Sequence, residues 1–300
     1  MEHRPRVPGS GTLPGFLLPS PLVMERLRVL TLNVWHRQGP WDRRLPLVQR
    51  GIAALAPDVI GLQEILHFEV EGGGQALSQA DEIAASLDYP YSAFASAWHV
   101  GGGLHFGNAV LSRFPIVARH EWPLPAPEPD QTRSLLYVEL DAPCGRIPFF
   151  VTHLAWRFEH SLLRQEQVTF IAGRIAEQCR ALNNPFPAIL VGDFNAEPES
   201  DEIRYLRGWH AIGGQTTCFY DAFAVAGDDR RGITFARRNP FAREANEPDR
   251  RIDYIFVQPP DRQRRGEILS ARVVFDQPED GLFVSDHFGV YTELFAAPAP

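Results

Sequence analysis

The order of strand-like and helix-like segments constrains the fold of this chain more than any other feature of its sequence. Two strand-like runs, Leu135–Leu140 and Ile147–Thr152, follow one another with only a turn at Pro143–Gly145 between them. Strands joined by so short a turn pair antiparallel, whereas parallel strands need a long crossover connection. In other parts of the chain, such as Leu27–Leu87, strands alternate with helical stretches. A purely parallel Rossmann or TIM-barrel arrangement therefore does not fit, and we expect mixed sheets with helices outside.

The other segments are assigned by their apolar periodicity. Helical spacing predicts helices over Arg43–Leu55, Gln75–Leu87 and Ser161–Arg180. Alternating or buried β-rich runs predict further strands over Leu27–Val34, Asp58–Leu62, Tyr89–Phe94, Asn108–Leu111, Ala188–Val191, Ile252–Val257, Ile268–Val274 and Phe288–Leu294. No repeat and no linker divides this series, so we expect one α/β domain over residues 24–296.

The two ends differ from this domain. Residues 1–23 are rich in Pro and Gly, and their one apolar run, Phe16–Leu18, is too short for a convincing secretory signal. Met24 stands just before the first strand. We therefore expect that translation can start there and that residues 1–23 are a disordered or non-native extension. Residues 297–300 are expected to form a frayed tail.

Composition excludes several classes of protein. With 44% hydrophobic and 22% charged residues, the 300-residue chain reads as a globular enzyme and not as a disordered or coiled-coil protein. No run of about 18 apolar residues predicts a membrane span. The 3 cysteines lack C-x-x-C spacing, which argues against a disulfide framework or a structural zinc site and favours a reducing, cytoplasmic location.

Charge is distributed unevenly along the chain. The net charge of -8 makes the whole molecule a poor electrostatic partner for nucleic acid or anionic lipid. Residues 230–272, however, carry 11 Arg against 6 Asp and Glu. A basic surface able to receive a phosphate is therefore expected near that segment.

Polar side chains recur where apolar strand-like runs end. They are Asn33, Glu64, His153, Asp193, Asn195, Asp253, Asp286 and His287. Catalytic groups commonly lie at strand ends in such sheets, so converging strands would gather these residues around one pocket. Carboxylates and an amide without thiolates suit a hard cation such as Mg²⁺ or Mn²⁺, and two His beside acids suit proton transfer. Together they favour hydrolysis of a phosphate ester.

The ordered set of motifs resembles the endonuclease/exonuclease/phosphatase family over about Arg28 to Leu294. The matching segments are LNVW with Asn33, LQE with Glu64, GNAVLSRFPI from Asn108, THL with His153, GDFNAEP with Asp193 and Asn195, TF with Thr234, RIDYIF with Asp253 and SDHFGV with Asp286 and His287. The resemblance implies a four-layer α/β sandwich, in which two mixed β-sheets lie face to face with helices outside. It also implies divalent-metal-dependent hydrolysis of a phosphoester.

The resemblance implies a metal site and a base. Glu64 would be the main ligand of Mg²⁺ or Mn²⁺, with Asn33 and Asp286 nearby. Asp193 would orient or deprotonate the attacking water, with help from Asn195. Metal and His together would spread the charge that develops on the phosphate.

The resemblance also implies groups that face the substrate. Asp253 would hydrogen-bond His287 and fix its tautomer, so that His287 contacts the scissile phosphate, while His153 would stabilise the phosphate or protonate the leaving group. Asn108 and Arg133 are predicted to bind substrate. Asn108 could instead end the turn after Gly101–Gly103, and Arg133 could instead be a surface charge.

Three further residues have structural alternatives. Trp156 and Phe158 follow His153 and could form a substrate-facing aromatic wall or pack in the core, and we favour the core. Asp253 could pair with Arg250 or Arg251 in place of His287, since a buried carboxylate needs a partner.

Differences from two branches of the family narrow the range of possible substrates. Ile65 and Leu66 follow Glu64 where base-excision endonucleases typically carry Lys, and GDFNAE stands where inositol polyphosphate 5-phosphatases have GDLNYR. Two His resemble instead the deoxyribonuclease I, sphingomyelinase-like and deadenylase branches, which cleave phosphodiesters. We therefore predict a phosphodiesterase without an obligate protein partner.

Its phosphoester substrate stays open among DNA or RNA, a phospholipid head group and a small phosphodiester. A sphingomyelinase-like enzyme would need an exposed apolar loop, for which Leu104–Phe106 or Phe241 is a candidate. A catalytically silent binding module would have lost Glu64, Asp193 or His287. A zinc hydrolase is disfavoured because H-E-x-x-H and Cys clusters are missing.

Overall fold

The computed structural model describes residues 24–69, 77–127, 132–228 and 231–296. The extension expected at residues 1–23 and the tail expected at residues 297–300 lie outside the described residues. The helices are α1 (Trp41–Leu55), α2 (Gln79–Ala84), α3 (Ser161–Ala181), α4 (Asp201–Leu206), α5 (Ala222–Ala226) and α6 (Pro240–Arg243). The strands are β1 (Arg26–Asn33), β2 (Val59–Phe68), β3 (Leu77–Ser78), β4 (Tyr91–Gly101), β5 (Leu104–Ser112), β6 (Ile116–Pro123), β7 (Ser134–Ala142), β8 (Gly145–His153), β9 (Ile189–Asp193), β10 (Tyr220–Asp221), β11 (Asp253–Val257), β12 (Ile268–Val274) and β13 (Gly289–Phe295).

The strands form two mixed sheets. The first sheet has 7 strands in the order β12-β13-β1-β2-β5-β4, with β3 paired to β2. The second sheet has 6 strands in the order β10-β11-β9-β8-β7-β6. In each sheet one central pair is parallel, β1 with β2 and β8 with β9. A crossover helix joins the strands of each parallel pair, so the sheets contain one βαβ unit each, β1–α1–β2 and β8–α3–β9.

The inner faces of the two sheets share one apolar core. Val29 and Val59 of the first sheet lie in it with Val151 and Val191 of the second. A Cβ on Gly61 would stand 2.3 Å from Cγ2 of Val191, so a larger residue at this position would clash with the second sheet. Helices α1 and α2 cover the outer face of the first sheet, and α3 and α4 cover that of the second. The four-layer α/β sandwich is thereby confirmed.

Helix α1 shows how the local sequence sets these layers. Trp41, Val48 and Ile52 recur at helical spacing and bury one face against the first sheet. Ala56 then adopts the left-handed conformation, with φ of 46°, and its N–H donates to the Ile52 carbonyl. Pro57 follows and cannot continue the helix.

Several predicted elements differ from those of the structure. The helix predicted over Gln75–Leu87 is reduced to α2, which Ser78 caps by accepting from the Ala80 N–H. The strand predicted over Asp58–Leu62 continues to Phe68, past an irregularity in its pairing with β5. Strand β6 was missed because it is an edge strand with many exposed polar residues. Among the described residues, no helix combines the length and hydropathy needed to cross a membrane.

Candidate active site

Four of the predicted site residues stand at one edge of the sandwich because of strand direction. Asn33, His153 and Asp193 are the last residues of β1, β8 and β9. Asp253 is the first residue of β11, which runs antiparallel to β9, so it lies directly opposite Asp193. A strand that begins at this edge therefore also places a side chain in the site. The expectation that every site residue follows the end of a strand was wrong for Asp253.

Glu64 reaches the same edge from inside a strand. The pairing of β2 with β5 shifts between Leu62 and Ile65, which is a β-bulge. Within the bulge Glu64 has φ of 59°, in the left-handed region that residues with a Cβ seldom adopt. The bulge turns the carboxylate toward Asn33, whose Nδ2 donates to Glu64 Oε1 at 3.1 Å.

Asp286 and His287 lie in a loop before β13 and not at the end of a strand. The Ser285 hydroxyl fixes this loop by donating to the Asn33 carbonyl at 2.7 Å. Ser285 Oγ also lies 3.1 Å from Asp286 Oδ1 and 3.3 Å from the backbone N of His287. One buried hydroxyl thus orients both residues relative to β1.

Asp193 is the centre of the hydrogen-bond network. Its Oδ1 accepts the backbone N–H of Asn195 at 2.9 Å, and its Oδ2 accepts from Asn33 Nδ2 at 3.1 Å. Nε2 of His153 and Nε2 of His287 lie 3.5 and 3.7 Å from the same Oδ2. The buried carboxylate is therefore placed between two imidazole rings.

The contact expected between Asp253 and His287 is present. Nδ1 of His287 lies 3.0 Å from Asp253 Oδ2, and both side chains are buried. This contact leaves Nε2 of His287 facing Asp193. The alternative partners of Asp253 are engaged elsewhere, since Arg250 pairs with Glu247 and Arg251 pairs with Asp221.

The two His differ in charge. Burial lowers the pKa of His153 to about 3, so its ring is neutral at neutral pH. Burial also opposes charge on His287, but Asp253, Asp193 and Asp286 together hold its pKa well above the usual value. Burial raises the pKa of Asp193, yet the attraction of His287 and the hydrogen bonds from Asn195 and Asn33 act against it, and the pKa is lowered overall.

The pKa values of Glu64 and Asp286 are raised and not lowered. Burial raises the pKa of Glu64, and it raises that of Asp286 to about 6 even though His287 acts against it. Oxygen donors crowded in this way are the ligands that a hard divalent cation prefers, so these residues fit Mg²⁺ or Mn²⁺. Asp193, Asp253 and His287 also bring ligand-type atoms within 4.8 Å of one another. Because Asp253 and His287 are joined by their own hydrogen bond, that triad suits proton transfer better.

These groups open into a cavity of about 290 Å³. Its walls include Glu64, Phe106, Arg133, His153, Trp156, Asp193, Asn195, Phe235, Glu247, Arg250, Asp286 and His287. Arg133 is buried and its Nε donates to the Leu154 carbonyl at 3.0 Å, so it is a cavity residue and not a surface charge. Asn108 is buried, donates to the Ser134 carbonyl and does not line the cavity. Its role in substrate binding stays a prediction.

One interpretation of the sequence needs correction. Trp156 and Phe158 are 47% and 52% exposed and are not core residues, and Trp156 lines the cavity. The basic surface expected near the Arg-rich segment stays a prediction. Arg250 and Arg265 are buried in ion pairs with Glu247 and Asp261, whereas Arg237, Arg243 and Arg272 are exposed.

Two cavity neighbours had escaped sequence reasoning. His36 lies with Nε2 3.9 Å from Glu64 Oε2, although it stands in a loop with no motif signal beyond its nearness to Asn33. Phe235 packs on His287 with ring centroids 5.0 Å apart. The TF pair with Thr234 was the available signal, since the Thr234 hydroxyl accepts the N–H of Asp253.

The sequence profile described as the Endonuclease/Exonuclease/phosphatase family matches residues 30–287, which is most of the chain. The chain belongs to this family. Its members are hydrolases that act on phosphoester bonds, depend on divalent metal ions and include nucleases. The resemblance inferred from the motifs is confirmed, while the role of each residue stays a prediction.

Curated relatives match part of the chain. Protein angel of Drosophila melanogaster is 27% identical over 214 residues, which cover 67% of this chain and 56% of that protein. The match therefore spans just over half the length of that relative. Uncharacterized protein YbhP of Escherichia coli K12 is 27% identical over 190 residues, 59% of this chain and 70% of that protein.

Solved structures match nearly the whole fold. An endonuclease/exonuclease/phosphatase from Beutenbergia cavernae has a TM-score of 0.68 and 25% identity, and the match covers 92% of this chain and 73% of that chain. Truncated TDP2 of Caenorhabditis elegans has a TM-score of 0.64 and 19% identity, over 90% of this chain and 98% of that chain. At that identity the second likeness concerns the fold alone.

Proposed function

We propose that this protein is a divalent-metal-dependent phosphodiesterase. The observation that carries the proposal is the position of Asp193 between the Nε2 atoms of His153 and His287, in one cavity with Glu64 and Asp286. Phosphoester hydrolysis can use such groups in three ways. A carboxylate orients and deprotonates a water, two imidazoles bind the phosphate, and two carboxylate ligands hold a cation.

Glu64 and Asp286 would hold Mg²⁺ or Mn²⁺. The Asn33 amide acts on this pair through Glu64, because its oxygen accepts the Trp35 N–H at 2.9 Å while its nitrogen faces Glu64. A bound divalent ion supplies positive charge that stabilises the phosphate as negative charge develops on it. The raised pKa values of Glu64 and Asp286 support this assignment, because a bound cation would offset the cost of burying their charges.

Asp193 is the proposed base. Its lowered pKa keeps it ionised at neutral pH, and its bonds to Asn195 and Asn33 fix the direction of the carboxylate. It would orient the attacking water and accept its proton as the new P–O bond forms. Asn195 is itself held, since its Nδ2 donates to the Leu154 carbonyl at 3.2 Å.

The two His would bind the phosphate in different ways. His287 is held as an imidazolium by Asp253 and would contact a phosphate oxygen through Nε2. His153 is neutral, so it would donate a hydrogen bond to the phosphate. Its lowered pKa favours this role over protonation of the leaving group, the alternative that the sequence had left open.

The side chains that line the cavity favour a phosphodiester that carries an apolar group next to the phosphate. Phe106, Trp156 and Phe235 supply apolar surface. The cationic side chains that line the cavity are Arg133, Arg250, which is paired with Glu247, and the imidazolium of His287. This favours a single phosphate over a polyphosphate. A nuclease acting on DNA or RNA and a sphingomyelinase-like phospholipid phosphodiesterase both fall within the proposal and differ in their leaving group.

Hydrolysis of two model esters tests the proposal. Bis-p-nitrophenyl phosphate and p-nitrophenyl phosphate would be compared with Mg²⁺, with Mn²⁺ and with EDTA, for wild type and Asp193→Ala. The expected result is metal-dependent cleavage that prefers the diester and is lost in the variant. A preference for the monoester would contradict the phosphodiesterase. No cleavage of either ester together with no metal binding by calorimetry would indicate a silent member of the family.

A further inference from the structure

Arg44 is a buried cation that the proposed chemistry does not use. It is the fourth residue of α1 and is fully buried. Its guanidinium carbon lies 5.2 and 5.0 Å from the ring centroids of Trp35 and Trp41. Within the described part of the chain no carboxylate forms a salt bridge with it. A buried charge of this kind must be compensated by other polar groups.

The compensation comes from backbone carbonyls of two separate loops. Nη1 is shared between the carbonyls of Val34 at 2.9 Å and Val284 at 2.7 Å. Nη2 and Nε reach the carbonyls of Trp35, His36 and Gln38. The first loop follows Asn33, and the second carries Asp286 and His287. One guanidinium therefore joins two segments that form the metal side of the cavity.

The first loop needs such a restraint because its backbone is strained. Trp35 and His36 have φ of 54° and 29°, both in the left-handed region. His36 lies next to Glu64, with 3.9 Å between Nε2 and Oε2. A change in this loop would therefore alter the position of His36 relative to the Glu64 carboxylate, and it would act on Asn33, which the loop follows.

The charge of Arg44 also matches this location. Burial lowers its pKa to about 10, while Asp286 and Glu64 act in the opposite direction and favour the charged form. Arg44 is therefore close enough to both proposed ligands for their charges to be felt, although it touches neither.

We infer that Arg44 is a positioning residue for the metal side of the site. It holds the loop after Asn33 and the loop of Asp286 at the separation at which Glu64 and Asp286 share one cation. This inference rests on the proposed function and extends it to a residue that neither contacts substrate nor ligates metal.

Arg164 provides a matched control. It is the fourth residue of α3, is also buried, and donates to the carbonyls of Ala155, Arg157 and Phe158 in the loop after His153. Its charge is balanced within the protein by Glu202 at 2.6 Å. A substitution of Arg164 therefore reports the general effect of altering a buried helix arginine on the other side of the cavity.

The experiment compares Arg44→Lys and Arg44→Met with Arg164→Lys in the full chain. Lys keeps the charge and the aliphatic stem but loses the planar fork, and Met loses the charge as well. Mn²⁺ binding would be measured by calorimetry, and kcat and KM on bis-p-nitrophenyl phosphate. We expect Arg44→Lys to weaken Mn²⁺ binding by about 10-fold or more and to lower kcat with little change in KM. Arg164→Lys should leave Mn²⁺ affinity at the wild-type value even if its Tm falls.

The outcomes separate a positioning role from a merely structural one. If Arg44→Met does not fold, Arg44→Lys decides. Wild-type Mn²⁺ affinity in Arg44→Lys, with a loss of Tm like that of Arg164→Lys, would overturn the inference. A wild-type protein that neither binds Mn²⁺ nor cleaves the diester would instead overturn the proposed function, so the two failures are distinguishable.

Discussion

The βαβ unit of the first sheet, β1–α1–β2, and that of the second, β8–α3–β9, share one plan. In each, the first strand ends in a site residue, Asn33 or His153. A loop follows, and the fourth residue of the helix, Arg44 or Arg164, is buried and donates to the carbonyls of that loop. We call the wall of the cavity that contains Glu64 and Asp286 the first side, and the wall that contains His153 and Asp193 the second side. A buried arginine of the same kind thus holds a loop on each side.

The two units differ in how charge is balanced. In the second, Arg164 is neutralised by Glu202 and Asp193 lies between two His. In the first, Arg44 has carbonyl partners only, and burial raises the pKa of Glu64. On the second side the buried acids therefore lie against cationic or imidazole groups of the protein, whereas on the first side a metal ion would balance the charge of Glu64. Four substitutions and one binding measurement test that difference.

The largest effect is expected at Asp193. Asp193→Asn keeps the shape of the side chain and an acceptor for the Asn195 N–H, but it removes the proposed proton acceptor. Hydrolysis of bis-p-nitrophenyl phosphate should therefore fall by about 10³-fold. Mn²⁺ affinity, measured by calorimetry, should change little. Near-normal turnover would show that Asp193 is not the base, and the proposed difference between the two sides would then be wrong.

Asp253→Asn should have the next largest effect, a loss of kcat of about 10²-fold. Asp253 is the strongest of the groups that raise the pKa of His287, so that pKa should fall toward its ordinary value of 6.5. Because the proposed role needs the imidazolium, the alkaline limb of the rate profile should move to lower pH. A pH–rate profile checks this, and an unmoved alkaline limb would show that His287 does not act as a cation.

His153→Gln should change the pH dependence of stability. The folded pKa of about 3 lies below the unfolded value of 6.5, so the unfolded state binds more protons between these values. Wild type should lose stability through this group as pH falls below about 6.5, by up to about 1.4 kcal/mol per pH unit, and keep it fully above. Gln does not titrate. Urea unfolding of both proteins in EDTA should therefore give free energies that converge as pH falls, and parallel curves would show that His153 titrates normally.

The smallest effect is expected at Trp156, which lines the cavity and is half-exposed. Trp156→Ala should raise KM by about 3-fold with kcat unchanged, because only contact with the apolar part of the substrate is lost. Trp209→Ala is the control, since Trp209 is exposed but does not line the cavity. Equal kinetics of the two variants would place the substrate elsewhere on the second side.

Much of the second side could be predicted from sequence because short apolar runs stop at its polar residues. His153 and Asp193 end strands in the way that Phe149–Thr152 and Ile189–Gly192 indicate. The mixed sheets followed from the order of the strands, since consecutive strands joined by a short turn require an antiparallel pair. The four-layer sandwich was implied by the resemblance to the family. The pairing of Asp253 with His287 was also accessible, because a carboxylate flanked by Ile252 and Tyr254 must find a partner.

The residues of the first side were harder to predict from the sequence, because the conformation of the backbone positions them. Nothing in the residues near Glu64 announces a bulge, so the strand was ended six residues early, at Leu62 in place of Phe68. Arg44 bonds only carbonyls, which carry no residue-specific signal. The exposure of Trp156 was missed for a related reason. The identity of an aromatic residue after a buried strand does not indicate whether its side chain packs in the core or faces solvent.

Mn²⁺ binding by calorimetry to wild type, Glu64→Gln and His153→Gln tests most directly whether the first side holds the metal and the second does not. Both substitutions are close in shape and each alters one group of the same cavity. The division predicts that Glu64→Gln weakens binding by at least about 10-fold and that His153→Gln binds as wild type does. Equal affinity in all three proteins, or a loss confined to His153→Gln, would contradict it.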